Sequence, residues 1–154
     1  MLSKSTTIKA DCDLPYPRDR VFAHWVSPET RKRWEVGPDT NLSHDGFDTR
    51  EGGVEVVRIL NNGQEVGQMT QTFHGVIENE LLASTTSYRI GEETTMLMQL
   101  AIEFSDHEGG TRISTLAQAI DLTGANLTDE HKSGWAWIFA RFEADIEEHG
   151  LIAL

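Results

Sequence analysis

The chain has 154 residues, 38% of them hydrophobic and 25% charged, a balance ordinary for one folded domain spanning 1–154. Thirteen Lys and Arg against 25 Asp and Glu leave a net charge of −12. That sign excludes nucleic acid and anionic membrane surfaces as natural partners, because their phosphates need basic side chains to neutralise them.

The N-terminus, MLSKSTTIKADCD, contains no apolar leader, and no later run approaches the ~20 apolar residues of a membrane-spanning helix. Cys12 is the single cysteine, so no internal disulfide can form and a reducing cytoplasm is the expected location. Ser5 to Asp13 alternates Thr7, Lys9 and Asp11 with Ile8, Ala10 and Cys12, which predicts a strand. Pro17 suits the first turn of a helix, where its missing N–H costs nothing. That helix would bury Val21, Phe22 and Trp25. Ser27 is placed to N-cap a second helix, with Pro28 at its first position, Thr30 to Trp34 completing about two turns and Gly37-Pro38 ending it.

From Ser43 onward the punctuation is that of hairpins. Gly52-Gly53, Asn62-Gly63, Glu78-Asn79-Glu80, Gly91-Glu92-Glu93 and Glu108-Gly109-Gly110 each separate segments of strand character. Asn62-Gly63 is the sharpest, since a type I′ turn needs positive φ at both central residues. In Thr94 to Ser105 one face carries Met96, Met98, Leu100, Ile102 and Phe104; in Thr111 to Leu122, Ile113, Thr115, Ala117 and Ala119 share a face. The last element is a long helix from a Thr128 N-cap to a Gly150 stop, with Trp135, Ile138, Phe139, Phe142 and Ile146 in one apolar stripe. Strands and helix of similar length predict a curved antiparallel sheet wrapped around the C-terminal helix, an α+β arrangement.

Val21 to Glu29, then Trp34 and Gly37-Pro38, resemble the opening of heat-shock-protein-90 ATPase activator homologues of the START-like superfamily. Asp48-Thr49-Arg50-Glu51-Gly52-Gly53 resembles that family's acidic-x-Arg-x-Gly-Gly signature; Gly109 to Ser114 and Gly134-Trp135 resemble its last hairpin and helix. The chain departs in having Trp34 alone where the family often has Trp-Trp, and Glu78-Asn79-Glu80 in place of a usually proline-bearing loop. The resemblance implies a helix-grip fold whose cavity lies between sheet and C-terminal helix and is gated by the two short helices. It also implies hydrophobic ligands, with some relatives acting as cyclases, aromatases or hydrolases and others on partner proteins.

The residues carry no evident catalytic constellation. His24, His44, His74, His107, His131 and His149 never fall at HxH or HxxxH spacing and there is no HExxH, so neither a metal site nor a cofactor is expected. No Gly-x-Ser-x-Gly elbow occurs, and Cys12 has no basic neighbour in sequence to make it a nucleophile. Glu143, Asp145, Glu147 and Glu148 are expected on the solvated face of the last helix. His74 is a candidate acid or base. The candidate ligand-binding set is Trp34, Phe47, Met69, Phe73, His74, Met96, Met98, Trp135 and Phe139, with Gln68, Thr70 and Gln99 as further polar lining. Trp137 lies off the main stripe beside Ala140 and Ala144, the pattern either of a homodimer contact or of packing under the N-terminal helices. Binding of a small hydrophobic or aromatic ligand is therefore the leading expectation, with a cavity-based cyclase or hydrolase and a chaperone-modulating module as alternatives.

Overall fold

The computed structural model describes residues 4–36, 41–124 and 128–154. It opens with strand β1 (Lys4–Leu14), followed by helices α1 (Arg18–Val26) and α2 (Pro28–Arg31) and a π turn (Lys32–Val36). Then come β2 (Leu42–His44), β3 (Val54–Asn61), β4 (Gln64–Ile77), β5 (Leu81–Ile90), β6 (Glu93–His107), β7 (Gly110–Asp121) and helix α3 (Thr128–His149). Among the described residues the strands form one antiparallel sheet in the order β1-β7-β6-β5-β4-β3-β2. The chain's first strand thus closes beside its last, with Lys4 opposite Asp121 and Leu14 opposite Thr111.

The predicted turns are where the chain reverses. Asn62 and Gly63 both take positive φ, 52° and 78°, and make the two-residue loop between β3 and β4. Gly150, at φ 76°, stops α3 by donating its N–H to the Ile146 carbonyl at 2.7 Å. The Gly37-Pro38 stop and the capping side chain of Thr128 lie outside the described residues.

Alternation sorts the sheet into an inner face against α3 and an outer face. Met96, Leu100, Ile102 and Phe104 of β6 are buried, as are Ile113, Thr115, Ala117 and Ala119 of β7. From α3, Trp135, Phe139, Phe142 and Ile146 fill the space above them. Trp25 joins them, its ring centroid 4.6 Å from Trp34 and 4.9 Å from Phe142.

Three local expectations are corrected. Pro17 is the N-cap of α1 in extended conformation (φ −61°, ψ 145°), not its first helical residue. Ser27 makes no side-chain cap to α2; instead Thr30, 1% exposed, donates its hydroxyl to the carbonyls of His24 and Ser27 and so ties the two helices together. Asp145 is buried, not on the solvated face. It accepts from Arg33 at 2.7 and 3.0 Å and pairs with His24 Nε2 at 2.8 Å. His24 Nδ1 accepts the Ile152 N–H at 3.0 Å, so Nε2 must carry the proton donated to Asp145.

Candidate functional site

Two adjoining spaces lie between the inner face and α3. The inner one, about 70 Å³, is lined by Trp25, Arg31, Trp34, Phe73, Leu82, Ser84 and others. The outer one, about 330 Å³, reaches Leu42, His44, Glu55, Met69, Thr86, Tyr88, Met98 and Trp137. Glu35, Gln71, Leu100, Trp135 and Ile138 line both and form the neck between them. Ligand pockets commonly run from about 300 to 1,000 Å³, so the outer space alone is at the lower end of that range.

Of the predicted residues, Trp34, Phe73 and Trp135 line the inner space, and Met69, Met98 and Trp135 the outer. Met96 and Phe139 are buried but do not line either space. Phe47 stands behind the wall, stacked on His44 at 4.9 Å and carrying the Arg31 guanidinium at 4.4 Å from its ring centroid.

His74 is a correction: it is exposed on the outer face, where Nε2 pairs with Thr85 Oγ1 at 2.8 Å. The reason is parity. β4 presents Met69, Gln71 and Phe73 inward, and the register irregularity between Phe73 and Gly75 leaves His74 without a partner residue on β5. Gln68, Thr70 and Gln99 also carry outer-face parity, with Thr70 and Gln99 lining a separate space of about 490 Å³ that also touches Ser5 and Gln118. Several polar residues that do line the cavity, among them Glu35, Glu55, Gln71, Ser84, Thr86 and Tyr88, escaped the sequence reading. The signal was present: the alternation that admits Met69 and Phe73 also admits Gln71 and excludes its even-numbered neighbours.

A buried polar cluster forms one wall. Arg31 grips Glu55 with two parallel bonds of 2.7 Å, donates Nη1 to Thr49 at 2.8 Å and gives Nε to Glu35 Oε2. Burial opposes the Arg31 charge, but Glu35 and Glu55 more than offset it and hold the guanidinium firmly protonated. Glu55 also accepts the Asp48 N–H at 2.9 Å, so the loop bearing the Asp-x-Arg-x-Gly-Gly signature is tied to this pair. Burial pushes the His44 imidazole below the usual histidine range, and its Nδ1 is buried with no partner among the described residues. Among the described residues no cluster of three or more His, Cys, Asp or Glu is placed to hold a metal ion. No helix among them is long and apolar enough to cross a membrane.

Trp137, 53% exposed, sits at the rim of the outer space with Arg141 stacked on its ring at 4.4 Å. It does not pack under the N-terminal helices.

Residues 15–147 match the family described as activator of Hsp90 ATPase homolog 1-like protein. No curated protein matches the chain. Among solved structures, an uncharacterized protein from Rhizobium leguminosarum superposes with a TM-score of 0.85 at 21% identity, covering 96% of this chain and 98% of that one. The protein Mll3558 from Rhizobium loti gives a TM-score of 0.83 at 22% identity over 94% and 99%. Ara h 8.0201 shares the fold at a TM-score of 0.70 and 16% identity, over 95% and 100%.

Proposed function

The chain belongs to the activator of Hsp90 ATPase homolog 1-like family within the START-like, helix-grip superfamily, and from that premise we propose that it binds a small hydrophobic molecule between the sheet and α3. The observation that carries this reading is the aromatic lining: Trp34 and Trp135 line an inner space that shares Glu35, Gln71 and Trp135 with a larger one. Apolar walls with a few fixed polar groups are the general form of small-molecule sites. Three tryptophans, Trp25, Trp34 and Trp135, border the inner space and would report its occupancy.

Tryptophan fluorescence should change on titration with an aromatic ligand and lose most of that change in Trp135→Leu. A ligand that binds only the folded protein adds about 2.7 kcal/mol of stability at roughly 100 times its Kd. A hydrophobic library producing no thermal shift would defeat the proposal. Native mass spectrometry of the freshly purified protein would identify a retained ligand directly.

The family description favours a second reading, modulation of an Hsp90-type ATPase. Its test is the steady-state ATPase rate of purified chaperone with and without this protein; an unchanged rate removes it.

A further inference from the structure

The charges at the neck narrow the class of ligand. Arg31 is the only cation among the described lining residues of the two spaces, and it faces two carboxylates, Glu35 and Glu55. Glu55 takes the guanidinium fork with both oxygens at 2.7 Å. Glu35 receives only Arg31 Nε on Oε2, and its other oxygen has no partner among the described residues. The lining of the two spaces therefore holds one negative charge in excess.

No nearby group cancels it. Burial lowers the His44 pKa and so disfavours a positive charge there. Arg33 is committed to Asp145 at 2.7 and 3.0 Å. Arg141 lies against the Trp137 ring, donates to the Arg33 carbonyl at 2.9 Å, and does not line either space.

This surplus carboxylate shares the lining of the inner space with Trp34, of the outer space with Tyr88, and of both with Trp135. Ring faces attract cations, most strongly where water is excluded, and a carboxylate beside them supplies the counter-charge. An anionic ligand would meet the opposite situation, a like charge on Glu35, whose side chain is 29% exposed, and no free cation among the described lining residues. The net charge of −12 adds a long-range field of the same sign. We infer that the ligand of this cavity carries a basic nitrogen, protonated at neutral pH and seated between Glu35 and the rings of Trp34 and Trp135. This inference rests on the ligand-binding reading above.

Three probes sharing one ring system test it: naphthylmethylammonium, naphthylmethanol and naphthoate, each titrated into the full chain by calorimetry. The ammonium probe should bind about tenfold more tightly than the alcohol, and naphthoate more weakly than either. In Glu35→Gln the ammonium probe should fall to the affinity of the alcohol, while the alcohol changes by less than about twofold. Equal binding of ammonium and alcohol, or a preference for naphthoate, overturns the charge assignment and leaves the cavity reading standing. Binding of none of the three overturns both. The comparison among probes uses the unaltered chain, so it stands even where Glu35→Gln does not fold.

Discussion

His24 is a titratable ring with none of its surface in water, held at both nitrogens. Burial lowers its pKa, and the opposing pull of Asp145 does not restore it. The unfolded chain takes up this proton at about pH 6.5 and the folded protein only at lower pH, so the unfolded state binds more protons and stability falls as pH drops below about 6.5. Asp145 adds a later loss. Burial alone would raise its carboxyl, but the hydrogen bonds from Arg33 and His24 hold it below the usual range, so its contribution fades only as pH falls below about 3.9. Urea midpoints at about pH 7.5 and pH 5.5 should therefore differ, and the difference should shrink in His24→Gln; an identical slope in that variant would assign the acid sensitivity elsewhere. Gly53 makes a different demand, for space. A Cβ there would lie 1.9 Å from the Asp48 carbonyl oxygen, which is backbone and cannot swing aside. Gly53→Ala should cost about 1–3 kcal/mol by chemical denaturation, as overpacking does. That glycine was legible in the sequence as a turn residue, but its reason was not, because the clash is with an atom five residues earlier.

At the scale of elements, α2 is too short to hold itself and is fastened to β3 through Arg31 and Glu55, whose side chains are 6% and 2% exposed. Removing one member of a buried pair strands the other, so Glu55→Ala should cost about 3–5 kcal/mol. Replacing both, as Arg31→Leu with Glu55→Leu, should cost clearly less than the single change; a double variant less stable than the single would reject the account. The hairpins needed no such long-range help. Their turns were legible because positive φ at Asn62 and Gly63 is a local requirement that few residues meet. Faces within the hairpins were legible where apolar side chains alternate strictly, as in β6 from Met96 to Phe104. They were not in β4, where Gln68, Thr70 and Gln71 are all polar and a one-residue slip exchanges the two faces. Gln68, Thr70 and His74 were misplaced for that reason, and Gln71 missed.

For the whole molecule, the cavity lies where Trp135, Gln71 and Leu100 share its lining, while Phe142 is packed against Trp25 and Trp34. Trp137 borders that opening with half its surface exposed. Trp137→Ala should weaken ligand binding without changing the sedimenting mass; a parent dimer that becomes monomeric would assign Trp137 to a subunit contact instead. By itself the sequence determined the order and kind of the elements, the turns that join them and the apolar stripe of the last helix. Those properties depend on residues within a few positions of one another, through periodicity and backbone freedom. Only the tertiary structure decided which polar side chains share the cavity, that Asp145 is buried against His24 and Arg33, and that one arginine at the neck serves two carboxylates. Each of those facts joins residues far apart in the chain, so each depends on strand register and helix placement, which are settled by the packing of the whole core rather than by any local pattern.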